Sequence, residues 1–297
     1  MGLFDRFRKK ENSVNKNDSS NDFKYLDNLI QSGNNEIVLD KDIINVDDSY
    51  FWGIKLDIDN LIIDGNGFSI DSASKTPIFK ITGNNIILRN ITFKNGFSKN
   101  DGGSILNESN LLTIENCTFE NNEANWGGAI SNKGIKIIFK NCNFIENKGF
   151  GGIVHNSKGS LDFKNCNFEG NSSNGGGLFY SIGKFLNFHQ CVFKRNFLNN
   201  VGEKNNSLIY NSENLKFENC LFEDNLNNNY HEDCRLIYNT GFLSLLYCNF
   251  SEDFDSSNEL ELVNNNASVI LKNSNFNTKL FNRFINNGCL ESSGCNF

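Results

Sequence analysis

The side chains of this sequence that are best suited to binding or acid–base chemistry fall into two groups. One is a column of rings that recurs every 25 to 30 residues, at His155, Tyr180, Tyr210 and Tyr238. The other lies in the polar segment before the last of these rings and consists of Tyr230, His231, Glu232 and Asp233. Exposed aromatic rings suit the binding of sugars or proteins, and an imidazole beside carboxylates suits proton transfer.

Two interpretations of the rings stay open. They form either a ligand-binding strip or an ordinary stack of neighbouring rings, partly covered by the long connections at 194–207 and 223–235. Glycoside hydrolysis needs two carboxylates that converge on a groove, but the outward positions between the repeated Cys and Phe residues carry neither acids nor bases. We therefore predict no catalytic residue. The alternative is a carbohydrate-active enzyme, a polysaccharide lyase or glycoside hydrolase, that uses residues near His231.

The spacing of these residues follows an internal repeat. The pattern Asn-Cys-x-Phe occurs at residues 116–119 and returns about every 25 residues, with weaker copies on both sides. A fixed period of this size identifies a repeat protein. The phenylalanines of the repeat stand at 68, 93, 119, 144, 168, 193, 222, 250, 276 and 297.

The apolar residues of each repeat predict three short strands. Two apolar residues spaced two apart, such as Leu112 and Ile114, precede the Cys and mark one face of a strand. The next step to Cys117 is three residues, which requires a corner, and Asn116 tolerates the left-handed backbone of a corner. A third apolar column follows a glycine pair in four repeats, and its last members are predicted to be Ile237, Leu262 and Ile285, with Val263 in the outward ring column.

The predicted fold is therefore an all-β, single-stranded parallel β-helix. We expect three strands in each rung of about 25 residues, and about nine to ten rungs. The asparagines three residues past each Phe are predicted to form a hydrogen-bonded ladder at one corner: Asn122, Asn147, Asn171, Asn196 and Asn225.

Most of the nine cysteines share one predicted inward column. These are Cys117, Cys142, Cys166, Cys191, Cys220, Cys248 and Cys295. We expect a stack of reduced, small apolar side chains. The sequence contains no C-x-x-C pair, so we predict neither a metal site nor a cofactor.

Composition and chain order predict three segments. Residues 1–21 form a disordered basic and polar tail, residues 22–60 hold a capping helix from Asp22 to Gly33 and the first strands, and residues 61–297 form the β-helix. The net charge of -7 argues against a nucleic-acid surface, and the chain has no apolar run of about 18 residues, so we expect no transmembrane segment. Residues 1–22 lack a signal-peptide core, which predicts a cytoplasmic chain as written.

Two stretches resemble known families. Gly127–Ile130, together with the Phe119-x-x-Asn122 pattern, is similar to the repeats of chlamydial polymorphic outer-membrane proteins. The segment 60–71, followed by 86–96, is similar to the β-helix domains of adhesin-like proteins from methanogenic archaea. The resemblance covers residues 36–297 and implies a right-handed, pectate-lyase-like β-helix with a cell-surface adhesion or interaction role.

The sequence thus predicts a non-catalytic, adhesin-like module that binds a glycan or a protein partner through its outward aromatic face. A further expectation concerns self-association. Phe297 ends the sequence on a predicted strand without a capping segment, and an unpaired strand edge promotes end-to-end contacts between chains. We therefore expect either end-to-end dimers or a sequence that is part of a longer protein.

Overall fold

The protein is a parallel β-solenoid preceded by one short helix. A computed structural model describes residues 22–199, 207–225, 235–251, 261–265, 267–276, 284–286 and 288–296. The chain winds through about nine turns, and each strand pairs in parallel with the equivalent strand of the next turn, as Ile105 does with Ile130. The predicted all-β parallel fold is confirmed.

Among the described residues, four sheets run along the solenoid. The first sheet has eleven strands there: Glu36–Val38, Ile62–Asp64, Ile86–Arg89, Leu111–Glu115, Lys136–Lys140, Ser160–Lys164, Phe185–His189, Asn214–Glu218, Leu243–Leu246, Val269–Lys272 and Leu290–Ser293. The second has ten in the same part of the chain: Ile43–Ile44, Ser69–Asp71, Thr92–Lys94, Thr118–Glu120, Asn143–Ile145, Asn167–Glu169, Val192–Lys194, Leu221–Glu223, Asn249–Ser251 and Asn275–Phe276.

The third sheet closes each turn. Its ten described strands are Ile54–Leu56, Phe79–Ile81, Ile105–Asn107, Ile130–Asn132, Val154–Asn156, Phe179–Ser181, Ser207–Asn211, Arg235–Asn239, Glu261–Asn265 and Phe284–Asn286. The fourth sheet lies between the second and third along the chain and has five described strands: Phe97–Asp101, Glu123–Trp126, Lys148–Gly149, Ser172–Ser173 and Phe197–Leu198.

This fourth sheet is absent from the three-strand rung that the sequence predicts. Five successive rungs carry four strands instead of three. In the first four extra strands the inward residues are small, namely Ser98, Ala124, Gly149 and Ser173, and in the fifth the inward residue is Leu198. Hydrophobic alternation therefore gives no signal for them, although the strands pair in regular parallel register.

The predicted corner before each Cys is confirmed. The described residues at this position, which precede Cys or its equivalent, all have left-handed backbone, with φ between +47° and +63°: Asn90, Asn116, Asn141, Asn165, Gln190, Asn219, Tyr247, Asn273 and Gly294. This turn lets residues on both sides of the corner point inward, and both Ile114 and Cys117 are fully buried. Asparagine is common here because its side chain makes the left-handed conformation less costly than it is for other residues.

Two register predictions are wrong by one or two residues. Phe93 pairs with Ile70, not with Phe68, because a turn that places the Phe68 amide on the Gly65 carbonyl lengthens this corner by two residues. In the later rungs Val263 takes the position predicted for Leu262, since it pairs with Ile237. Phe284 pairs with Val263 and occupies the position predicted for Ile285. Apolar residues stand close together in these strands. The alternation of apolar and polar residues therefore does not show which of them points inward.

Stacked phenylalanines fill the interior of the solenoid. Consecutive rings of the repeated Phe column, from Phe93 to Phe276, have centroids 4.6 to 5.0 Å apart and nearly parallel planes. A second buried column runs from Phe139 to Phe217. The parallel register places equivalent residues of successive turns directly above each other, so one ring per repeat produces a continuous stack.

The helix Asp22–Ile30 covers the open N-terminal end. Phe23, Leu26 and Ile30 are fully buried against the first strands, as predicted. The Asp22 carboxylate accepts a hydrogen bond from the Ile44 backbone N–H. This bond gives a partner to an amide in the edge strand of the second sheet. None of the helical segments in the described part of the chain has the length and apolar character needed to cross a bilayer.

Candidate functional site

The predicted ring column lies on the third sheet. His155 pairs with Tyr180, Tyr180 with Tyr210, and Tyr210 with Tyr238 in consecutive strands. The next residue in this register is Asn264, not the predicted Val263. The four rings that sequence spacing groups together are thus neighbours in space.

The tyrosines of this column are stacked face to face. The ring centroids of Tyr180 and Tyr210 are 4.7 Å apart with planes 8° from parallel, and those of Tyr210 and Tyr238 are 5.6 Å apart at 17°. The Arg235 guanidinium lies 5.6 Å from the centroid of Tyr238. The ring faces are turned towards each other, and all three tyrosines are half-exposed. Burial raises the pKa of the Tyr210 hydroxyl above its usual value.

His155 occupies the same column but is covered. Only 8% of its surface is exposed. The Trp126 ring lies over it with a centroid distance of 5.0 Å and also meets Tyr180 edge to face at 5.8 Å. Burial lowers the pKa of the His155 imidazole, which favours the neutral ring.

A glycine of the next turn makes room for Trp126. A Cβ atom on Gly151 would lie 1.9 Å from Cε3 of Trp126, so the indole rests directly on this backbone. Sequence analysis did not select Trp126 as a site residue. The available signal is its position immediately before a glycine pair, where the fourth sheet ends. We call Trp126, His155, Tyr180, Tyr210 and Tyr238 the aromatic face.

Polar groups behind His155 form a small network. The Ser131 hydroxyl lies 3.2 Å from Oδ1 of Asp101 and 3.3 Å from Nδ1 of His155, and Lys133 pairs with the same Asp101 carboxylate at 2.7 Å. A nucleophilic triad needs the imidazole between the hydroxyl and the carboxylate, whereas here the fully buried Ser131 stands in the middle. The network therefore orients His155 and does not activate Ser131.

The second predicted group cannot be placed. Tyr230, His231, Glu232 and Asp233 lie outside the described residues, as does Phe297, on which the expectation of end-to-end association rests. Within the described ranges, no group of three or more His, Cys, Asp or Glu side chains is arranged to hold a metal ion.

The predicted cysteine column lies in the core, directly after the corner that joins the first sheet to the second. Cys142 and Cys166 are enclosed, and burial raises the pKa of both thiols. Each sulfur lies 3.3 to 3.4 Å from a backbone carbonyl two residues earlier, at Lys140 and Lys164. Of the seven predicted members, Cys295 is partly exposed. The column is part of the core and not of a reactive site.

Comparison with protein families gives one match. The model of a right-handed β-helix region matches residues 42–222. The chain belongs to this family. The family confirms the predicted handedness of the β-helix, and its matched region includes His155, Tyr180 and Tyr210. Neither the search of curated proteins nor the search of solved structures gives a match. Membership in the right-handed β-helix family is compatible with both pectate-lyase-like and adhesin-like proteins, so it sets the fold and leaves the function open.

Proposed function

We propose that this β-helix protein is a non-catalytic, adhesin-like binding module whose aromatic face binds a glycan or a partner protein. The observation that carries the proposal is the stack of Tyr180, Tyr210 and Tyr238 on three consecutive strands, with each of the three side chains half-exposed. Phenol hydroxyls both donate and accept hydrogen bonds, and aromatic side chains contribute large contact areas at interfaces.

The rigidity of the stack supports binding. Each ring is held by its neighbours above and below, at 4.7 and 5.6 Å around Tyr210. A side chain that is already ordered loses little conformational entropy when a ligand binds. Trp126 adds an exposed indole at one end of the stack, with 39% of its surface accessible.

The surrounding charges support a non-catalytic role. Asp101, the carboxylate of the network behind His155, is engaged by Lys133 and Ser131. General acid or base catalysis needs a carboxyl group that reaches the substrate, whereas Asp101 is already engaged in an ion pair.

The test is a glycan array and a protein pull-down with the full chain, followed by titration of each confirmed ligand. Tyr180→Phe combined with Tyr210→Phe keeps the stack and removes two hydroxyls. We expect this double variant to bind about thirtyfold more weakly, because each of the two lost hydrogen bonds contributes about 1 kcal/mol. Tyr247→Phe is the matched control, since Tyr247 is a 55% exposed tyrosine at a distant corner.

Two results would overturn the proposal. Unchanged affinity in the double variant would show that the ligand does not contact the tyrosine hydroxyls. Release of sugar fragments during the array incubation, lost in His231→Ala, would instead establish the alternative carbohydrate-active enzyme.

A further inference from the structure

A groove of about 400 Å³ follows the outer face of the fourth sheet, on the side of Trp126 away from the tyrosines. Its lining includes Lys99, Glu123, Asn125, Lys148, Phe150 and Asn174. We call this surface the polar groove. It extends over five strands, so its length is on the order of 19 Å at the usual strand separation.

The shape of the polar groove follows from the register of the fourth sheet. Glu123 and Lys148 are partners in one outward column. Asn125, Phe150 and Asn174 form the other, as the backbone hydrogen bonds from Gly151 to Asn125 and from Asn174 to Gly149 show. The residues between these columns, from Ser98 to Leu198, point inward and leave their backbone as the floor of the groove.

Phe150 forms a platform in this groove. It is 51% exposed, and a Cβ atom added to Gly175 of the next turn would lie 3.4 Å from Cζ of the ring. The ring therefore rests on glycine backbone with much of its surface open to the groove. An exposed, supported ring beside amide side chains is the combination that stacks on a sugar ring and hydrogen-bonds its hydroxyl groups.

The charges of the polar groove favour an uncharged ligand. Two cationic side chains, Lys99 and Lys148, and one carboxylate, Glu123, line it. The whole chain carries a net charge of -7, which repels polyanions. An acidic polysaccharide would need a cluster of cations, whereas the amides of Asn125 and Asn174 suit neutral hydroxyl groups.

We propose that the polar groove binds an extended, uncharged polysaccharide chain, with Phe150 stacked against one sugar ring and Asn125 and Asn174 bonded to sugar hydroxyls. The inference rests on the proposed function, which supplies the glycan class of the ligand, but it assigns this ligand to a separate site. One straight groove over five strands accommodates several consecutive sugar residues, so affinity rises with chain length.

The test titrates the full chain by calorimetry with cellohexaose and mannohexaose as uncharged probes and hexagalacturonate as the acidic probe. We expect at least one uncharged hexasaccharide to bind, with little dependence on salt, and more tightly than its trisaccharide. Phe150→Ala is expected to weaken this binding about tenfold, and Phe150→Trp to retain it. Phe185→Ala is the matched control, because Phe185 is 46% exposed on the first sheet.

The outcomes separate the two sites. Loss of binding in Phe150→Ala with retention in the Tyr180→Phe, Tyr210→Phe variant supports the groove and removes the aromatic face as the glycan site. The reverse pattern overturns the groove and keeps the aromatic face. Preference for hexagalacturonate, or no binding of either uncharged hexasaccharide, also overturns the groove. Asn174→Ala is also expected to weaken binding. This variant serves as the test if Phe150→Ala proves unstable in thermal unfolding.

Discussion

Asn147 Nδ2 donates a hydrogen bond to Oδ1 of Asn171 across 3.0 Å, at a corner where both side chains are fully buried. Asn147 Nδ2 also donates to the Phe119 carbonyl, and its Oδ1 accepts hydrogen bonds from the backbone and side-chain amides of Asn122. All four hydrogen-bonding positions of the amide are therefore used. The predicted ladder is confirmed, and it satisfies polar backbone groups that the corner would otherwise bury without partners.

We predict that Asn147→Ala destabilises the protein by roughly 3 kcal/mol or more. The buried Phe119 carbonyl and Asn122 backbone amide lose their partner, and the Asn122 side-chain amide keeps only its bond to the Phe93 carbonyl. Urea unfolding measures this change. The matched control is Asn116→Gly in the exposed ladder, where Asn116 bonds Asn90 and Asn141 at the surface. Glycine accepts the left-handed backbone of this position, so we expect a loss below about 1 kcal/mol. If the two variants lost the same free energy of unfolding, burial of the ladder would not be what makes Asn147 important for stability.

A second buried ladder has one defect. Asn107, Asn132 and Asn156 are linked by side-chain hydrogen bonds of 2.8 Å, and Asn156 then donates to the hydroxyl of Ser181. Ser181 stands at the position of an asparagine, and in the described residues Oδ1 of its neighbour Asn211 is buried without a hydrogen-bond partner.

We predict that Ser181→Asn stabilises the protein by about 1 kcal/mol, because the new amide donates to Asn211 and still accepts from Asn156. Ser181→Ala should destabilise it, since Asn156 then loses an acceptor. Both changes are measured as shifts in the urea midpoint. A destabilising Ser181→Asn would show that the site has no space for the longer side chain.

The cover that Trp126 forms over His155 predicts a dependence of stability on pH. Burial lowers the pKa of the folded imidazole below its usual value near 6.5. As pH falls below 6.5, the unfolded chain binds a proton that the folded chain does not, so the free energy of unfolding decreases. This loss ends when pH falls below the folded pKa.

Unfolding of the wild type and His155→Gln at pH 7.5 and 5.5 measures this effect. We expect the wild type to lose more stability between the two values than the variant does, because glutamine does not titrate. His189→Gln is the control, since His189 is a half-exposed residue beside Glu218 on the first sheet. A pH dependence that is the same in His155→Gln and the wild type would mean that His155 protonates freely in the folded state.

The buried thiols predict slow chemical modification. Burial raises the pKa of Cys117 and Cys166, and the thiolate is the reactive form. We expect a disulfide reagent to label the exposed Cys289 rapidly and the buried Cys117 and Cys166 only at the rate of unfolding. Mass spectrometry of labelled peptides distinguishes the sites, and rapid labelling of Cys166 in the native protein would contradict its enclosure.

The candidate site shows where sequence reasoning stops. The equivalent position that they take in successive repeats placed His155, Tyr180 and Tyr210 in one column, because parallel register superimposes equivalent residues of each turn. Spacing alone gave no indication that Trp126 covers His155, since that contact joins the end of the fourth sheet to the third sheet across a corner.

The repeat pattern alone predicted the solenoid, the left-handed corner before each Cys and the asparagine ladder. A repeat of about 25 residues with inward apolar positions and left-handed asparagines permits few other arrangements. The fourth sheet and the polar groove became visible in the folded chain and not in this pattern. Their inward residues, such as Ala124 and Gly149, are too small to leave a hydrophobic pattern. The strands form because neighbouring turns supply backbone partners, and backbone hydrogen bonding is independent of side-chain type.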